Sequence, residues 1–465
     1  MIEDNIMIGL ESHIQLATKS KLFCSCSTDS KTAKPNDNTC EICLGLPGSK
    51  PTLNEEVVKK AIALATIFGC KINQDSRFAR KIYFYPDLPK GYQVTQYEEP
   101  LAINGQFSID SNGKKKTIHI RRAHIEEDPG KIEYVGGHIG IAKQVLVDYN
   151  RSGLPLCEVV TEPDFKTIEE AVSYVKKIFH LLSYLGLIDP NQEGVMRTDA
   201  NISMGGGARV ELKNISGSNA LERSLKAEKN RQFFLKAQGK KVEQETRVYS
   251  EETGTTILLR KKEYEQDYGY IREPDLLPLV ISDVFVKNAM AEIKKLPEEV
   301  EQEIITKYKL PKQLAHKLAF KQGLYAYFEN CMLKFSKAEI LAKWLIGDFL
   351  KCANWHNFEI EQCPKEERFL ELMEAIDKKR ITEREGKEII KRMFDNPEAI
   401  ADTSKRETDI ETVIGTVIKE NHAAVERIRK GEDRIINFLV GAVLKKTNFK
   451  GDPKEIIKKI RKRID

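Results

Sequence analysis

Near residue 290 the chain changes character, and that change limits what it can fold into. Before it, turn signals such as Asn112-Gly113 and Gly136-Gly137 bound short apolar runs: IMIGL, TIHIRR, QVLVDY, TTILLR and LLPLVI. Short apolar runs between turn formers predict strands, here mixed and mainly antiparallel. Helical periodicity interrupts them twice, at 54–69 and 167–186, each with a polar start, acids in the first turn and a glycine at the end. After about 290 glycine becomes scarce. Amphipathic segments follow at 287–308, 311–328, 336–352, 364–378, 382–394, 408–430, 431–446 and 453–463. That periodicity predicts helices with short connections. The expected class is α+β. A large, mainly antiparallel β domain with helices spans 1–292, an all-α domain 293–405 and a small helical tail 406–465.

The 465 residues, 41% of them hydrophobic, are enough for two to four domains with real cores. No window approaches the ~18 apolar residues of a membrane span. The N-terminal MIEDNIMIGLESHIQL lacks a basic region followed by an apolar run, so no secretory signal is read. Nine cysteines, an odd number, argue against a disulfide scaffold and for a reducing compartment. A cytoplasmic protein with no membrane partner is expected. The net charge of +5 permits an anionic partner without requiring one. From Lys445 to Asp465 nine Lys or Arg face three acids. This excess reads either as a phosphate-binding face or as a solvated helix end.

Four cysteines cluster in sequence: Cys24 and Cys26 as CxC, and Cys40 and Cys43 as CxxC. Two close thiol pairs on loops suit tetrahedral zinc, with no coordination position left for catalysis. Redox chemistry would need only one pair. Cys70, Cys157, Cys331, Cys352 and Cys363 are scattered and read as core or surface thiols.

Oxygen ligands and imidazoles recur in four segments. Glu11 and His13 lie two apart in a probable strand and share a face. HIEED supplies His124, Glu126, Glu127 and Asp128. If 119–127 is extended, His119, Arg121, Ala123, Ile125 and Glu127 share one face, and His124 and Glu126 the other. Glu158 ends an apolar strand, and Asp199 and Asn201 lie two apart in RTDANIS. This donor mix suits Mg²⁺ or Mn²⁺ better than zinc. Each residue alone also has an ordinary reading, as a solvated carboxylate or a satisfied core histidine.

Residues 81–97, KIYFYPDLPKGYQVTQY, interleave aromatics with prolines, a glycine, glutamines and lysines. The run reads as a shaped polar wall or as a packed loop whose tyrosines bond to backbone. In the first reading Lys81 and Lys90 meet phosphate, and Tyr83 and Tyr85 meet a base or sugar. No GxxxxGK[ST] is present, and GGGAR at 205–209 is only a glycine-rich turn. Neither a serine-rich amidase signature nor a cysteine-histidine glutaminase pattern is visible.

The aromatic run resembles the GatB family, one subunit of the aspartyl/glutamyl-tRNA(Asn/Gln) amidotransferase. IGLESHIQL (8–16), CEICLGLPGSKP (40–51), HIEEDPGK (124–131), VDYNRSGLPLCEVVTEPD (147–164), RTDANIS (197–203), ELKN (211–214), QETR (244–247) and NFLVGAVLK (437–445) follow the family in order. Departures include Ile82, DYGYIREPD at 267–275, and GEDR and KTNFKG around the last apolar helix.

The resemblance implies a cradle domain, a helical domain and a YqeY-like tail that grips tRNA. It implies ATP-dependent amidation of misacylated Glu-tRNA(Gln) or Asp-tRNA(Asn) through an acyl phosphate. Ammonia would come from a partner amidase (glutaminase) subunit, and a small third subunit would complete a heterotrimer. It places magnesium on His13, Glu127 and Glu158, with Glu11 as the neighbouring acid, and these four are the catalytic candidates. ATP contacts are expected among Lys81, Tyr83, Tyr85, Lys90, Arg122, Asp199 and Lys213. Many members carry the CxC and CxxC set and others lack it, which makes a structural zinc. Two alternatives stand beside this reading: a non-catalytic, zinc-stabilised tRNA-binding module, and a GatE-type protein acting on Glu-tRNA(Gln) alone. The latter carries a large insertion before its tail, for which this chain has no room.

Overall fold

The strand Ile6–Gln15 is the middle member of a nine-stranded sheet. The computed structural model describes residues 5–464 apart from 31, 112, 137–141, 262–268, 322, 397–409, 430–431 and 448–451. From edge to edge the sheet runs Thr255–Lys261, Glu245–Ser250, Val210–Ser216, Met196–Met204, Ile6–Gln15, Pro155–Thr161, Lys114–Glu127, Ala102–Ser111 and Lys71–Ile72. Every neighbouring pair is antiparallel except Val210–Ser216 with Glu245–Ser250. A three-stranded sheet, Gly269–Arg272, Ala79–Ile82 and Tyr92–Thr95, carries both ends of the aromatic run.

Alternation divides the central strand. Ile8, Leu10 and Ile14 are at most 1% exposed, while Glu11 and His13 point to the other face. Burial of such aliphatic side chains contributes about 1.5–3 kcal/mol each. Helix Ile168–Tyr184 covers the apolar face, where Tyr174 packs edge-on against Phe107 and Phe165 at 5.8 and 5.2 Å. Both expected helices of this half form, and their caps explain where they start. Asn54 accepts from the Glu56 amide ahead of helix Glu55–Ile67. Thr167 and Glu170 make a reciprocal capping box ahead of Ile168–Tyr184.

Two sequence expectations change here. A third long helix, Ser218–Ala237, is not among those the sequence predicts. Its buried positions have helical spacing, but Ser224, Glu228 and Gln232 among them are polar. The fully buried Glu228 is satisfied by Arg231, Gln232 and Thr256, and only Leu221 and Leu225 of the stripe are apolar, so its apolar signal is weak. The alternation expected over 119–127 is also interrupted. A β-bulge opposite Val160 and Thr161 leaves Arg121 as an extra residue. Ile118 and Ile120 before it, and Ala123 and Ile125 after it, are all buried on the apolar side.

The chain divides into two units between Lys295 and Leu296. In the second unit every described element is a helix. The segment expected at 287–308 is two helices, Asp283–Ala291 and Pro297–Tyr308, the second starting at a proline that suits a first helical turn. One apolar cluster gathers Ile304, Leu318, Phe328, Phe349 and Phe369, and another Ile414, Val417, Leu439, Val443, Ile456 and Ile460. The boundary expected near 405 falls within 397–409, outside the described residues. No helix among the described residues is long and apolar enough to cross a membrane.

Candidate active site

The polar face of the sheet assembles its groups by strand register. Arg197, His13, Glu158 and His124 stand opposite one another across four strands. The adjoining row is Asp199, Glu11, Val160 and Arg122. Opposed residues of antiparallel strands have Cβ atoms about 4.5–5.5 Å apart, close enough for short polar side chains to meet. His13 Nε2 lies 3.3 Å from Glu158 Oε2 and 3.5 Å from Glu126 Oε1. His124 Nε2 is 3.6 Å from Glu158 Oε2 and 3.8 Å from Glu126 Oε2, and its Nδ1 is buried with no hydrogen-bond partner. One ligand atom each from His13, Glu126 and Glu158 lie within 4.8 Å of one another. An imidazole and two carboxylates at that spacing fit a hard divalent cation that keeps some of its waters.

Burial, then the carboxylates of Glu158, Glu211 and Asp199, push Glu11 up to about 7. Burial acts against protonated His13, yet Glu158, Glu126 and Asp199 raise it to about 9. Burial likewise opposes ionised Glu158, but His124, His13 and Arg122 outweigh it and hold that carboxyl well below its ordinary value. A cavity of about 200 Å³ lies over the cluster, lined by Glu11, Glu126 and Glu158 and by the cations Lys81, Arg122, Arg209 and Lys213. Tyr97 and Tyr270 also line it and stack with centroids 4.0 Å apart. Lys213 bonds Asp199 at 3.0 Å and Glu211 at 3.1 Å, and Asn201 donates to Glu11.

The structure brings together Glu11, His13, Glu158, Asp199, Lys81, Arg122 and Lys213 from the sequence candidates. It does not bring Glu127 to them. Glu127 takes Lys90 at 2.6 and 2.7 Å and the Val94 amide at 2.8 Å, and Glu126 stands with His13 and Glu158 instead. The reason is the pleat: Glu127 follows Ala123 and Ile125 on the opposite side of the strand. Lys90 and Glu127 line a different cavity of about 170 Å³, together with Cys24, Cys43 and Arg80. Tyr83 lies beside the Lys81 ammonium, whose nitrogen is 5.6 Å from its ring centroid. The Tyr85 hydroxyl meets that of Tyr134 at 2.9 Å. Arg209, Glu211 and Tyr270 are site residues that sequence reasoning missed. Glu211 lies two residues before Lys213 on one strand, so alternation within ELKN could have found it, whereas no local pattern marks Arg209 or Tyr270.

Asp128 is buried beside this face and accepts from both Arg151 and Arg197. Burial opposes its ionised form, but Arg197 and Arg151 hold it below the usual carboxylate range. Asp128→Ala should therefore cost about 3–5 kcal/mol, since it strands two partly buried cations. Because the folded value is depressed, this contribution is complete above the unfolded value of about 3.9 and is lost as pH falls through the folded one. Urea unfolding of both chains at neutral pH and near pH 3 checks the size and the direction.

The four cysteines meet as the spacing predicted. Their sulfurs lie within 4.8 Å of one another, near the separation tetrahedral zinc requires. The Cys40 amide donates to Cys43 Sγ at 3.1 Å. A hydrogen bond from Cys24 foremost, then the Cys40 amide and Lys21 against burial, bring the Cys43 thiol down to about 5.

Comparison with known families matches residues 6–287 to the GatB/GatE catalytic domain. Residues 326–464 match a second description, the GatB domain. The chain belongs to the GatB/GatE family. Its relatives include proteins named as the B subunit of aspartyl/glutamyl-tRNA(Asn/Gln) amidotransferase. That of Thermodesulfovibrio yellowstonii is 40% identical over 98% of this chain and 99% of its own length. Those of Methanoregula boonei and Haloquadratum walsbyi are 39% and 37% identical, over 98% and 99% of this chain and 97% of each relative. The GatB/GatE catalytic match contains the whole carboxylate and histidine face, the cavity above it and the four cysteines.

Proposed function

We propose that this chain is the amide-forming subunit of a tRNA amidotransferase, the activity its relatives are named for. The observation that carries the reading is the cluster of His13, Glu126 and Glu158 under a cavity ringed by four cations. A side-chain carboxylate resists ammonia because its oxygen leaves poorly. Transfer of the γ-phosphoryl group of ATP to that oxygen releases ADP and gives an acyl phosphate. Ammonia then attacks the carbonyl carbon and phosphate departs. Phosphoryl transfer needs positioning and charge neutralisation more than covalent help. Magnesium, held by His13, Glu126 and Glu158, would supply part of the neutralisation. Lys81, Arg122, Arg209 and Lys213 bind and orient the phosphates from the walls. Ammonia is assigned to a partner amidase (glutaminase) subunit, in a cytoplasmic complex with a small third subunit. The four cysteines hold a structural zinc.

The test is amide formation by the reconstituted complex, with ATP and magnesium, on Glu-tRNA(Gln) and on Asp-tRNA(Asn) separately. Formation on either tRNA supports the reading. ATP turnover without amide, or tRNA binding without turnover, would favour a non-catalytic tRNA-binding module.

The basic tail belongs to the same proposal. On helix Pro453–Ile464, Ile456, Ile460 and Ile464 are buried while Lys454, Lys458 and Lys462 are exposed. Deletion from about residue 405 should weaken tRNA binding and flatten its dependence on salt, since each lost phosphate contact lowers the slope by roughly one. Magnesium and ATP binding should persist, because every proposed ligand precedes residue 290. Unchanged affinity and slope would make the tail a solvated helix face.

A further inference from the structure

Lys21 is fully buried, yet among the described residues no carboxylate pairs with it. Its ammonium has three donors. Nζ contacts the Asn38 carbonyl at 2.7 Å, the Tyr149 carbonyl at 3.4 Å and Cys43 Sγ at 3.7 Å. An isolated buried ammonium costs several kcal/mol unless an anion balances it. Carbonyl oxygens supply dipoles but no charge. The sulfur of Cys43 is the one neighbour in this set that can carry negative charge. Four thiolates around Zn²⁺ leave a net charge of minus two, at a site where Cys26 and Cys40 are partly open to water and Cys43, beside Lys21, is buried. Each charge is thus what the other lacks.

We propose that Lys21 is the countercation of the four-cysteine site, a positioning residue that balances its charge and ties it to the neighbouring turn. The proposal rests on the zinc reading above. One hydrogen bond goes to a ligand sulfur, one to Asn38 within the loop between the two cysteine pairs, and one to Tyr149 near the end of the exposed hairpin Lys131–Val135 and Gln144–Asp148. An apolar residue at position 21 would fill the space but leave the thiolate charge unbalanced. Partners outside the first ligand set commonly tune metal affinity by about 10–100-fold.

The experiment compares the full chain with Lys21→Met and Lys21→Gln. The first keeps the stem and removes the charge. The second keeps donors for the two carbonyls without the charge. Zinc content is measured first, then release to a chromogenic chelator. Cobalt(II) replaces zinc in a parallel set, to read the sulfur-to-metal charge-transfer band. Both variants are expected to fold and fill at saturating zinc, because mass action offsets a weaker site. They should release zinc at least about tenfold faster, and the cobalt band should move to lower energy as the donor to Cys43 is lost. Release within twofold of the native chain, or an unmoved band, would overturn the proposal. So would failure to fold at saturating zinc, which would make Lys21 a scaffold residue. A native chain that holds no zinc would instead refute the zinc reading itself.

Discussion

Glu126→Gln should lower amide formation about a thousandfold, while misacylated tRNA still binds within a few-fold. The carboxylate lies 3.5 Å from His13 and shares the polar face with Glu158. Its amide replacement keeps the shape but loses the charge that a hard cation needs. A bound metal supplies several kcal/mol of transition-state stabilisation in such reactions, and each 1.36 kcal/mol is a factor of ten. His13→Ala should behave alike. Glu127→Gln is the informative contrast. It frees Lys90 and weakens the second cavity, but should leave magnesium affinity unchanged. Titration of Mg²⁺ into each variant, beside single-turnover amidation, distinguishes them. If Glu127→Gln loses magnesium and Glu126→Gln keeps it, the assignment from register is wrong.

Replacing Cys40 and Cys43 together by alanine should release one zinc per chain and sharply destabilise the first unit. Structural zinc adds its binding free energy to folding, with apparent values of about 10–16 kcal/mol in small zinc modules. Here the cluster anchors loops rather than a whole domain, so a part of that sum applies. Cys43 also stands beside Lys21, and its loss strands a buried ammonium. Metal analysis and thermal unfolding of the double variant test this. Full zinc content with an unchanged melting temperature would refute it.

Local signals made much of this protein legible. The caps at Asn54 and Thr167 mark helix starts, and the spacing of Glu11 and His13 put both on one face. The alternation in HIEED likewise put His124 with Glu126 rather than with Glu127, which is the pairing the structure has. Family likeness, carried over position by position, chose Glu127. Adjacent identical residues differ only in pleat, and the pleat depends on a partner strand. The bulge at Arg121 was hidden for the same reason, since it is a mismatch between two strands. Helix Ser218–Ala237 escaped because its buried stripe is half polar. Tyr270 reaches the cavity through a pairing with Lys81 that no window of sequence contains.

Those pairings also set a timetable. Ile6–Gln15 leaves the ribosome well before both of its sheet neighbours, Pro155–Thr161 and then Met196–Met204. At roughly 5–20 residues per second, synthesis of the intervening chain takes on the order of ten seconds. Throughout that interval a segment carrying Ile8, Leu10 and Ile14 has no strand to pair with and no helix to cover it. The polar row across positions 13, 124, 158 and 197 closes only after the last of these strands arrives. A nascent chain arrested before residue 196 should therefore expose a sticky strand and engage holdase chaperones. One released beyond residue 216 should protect it.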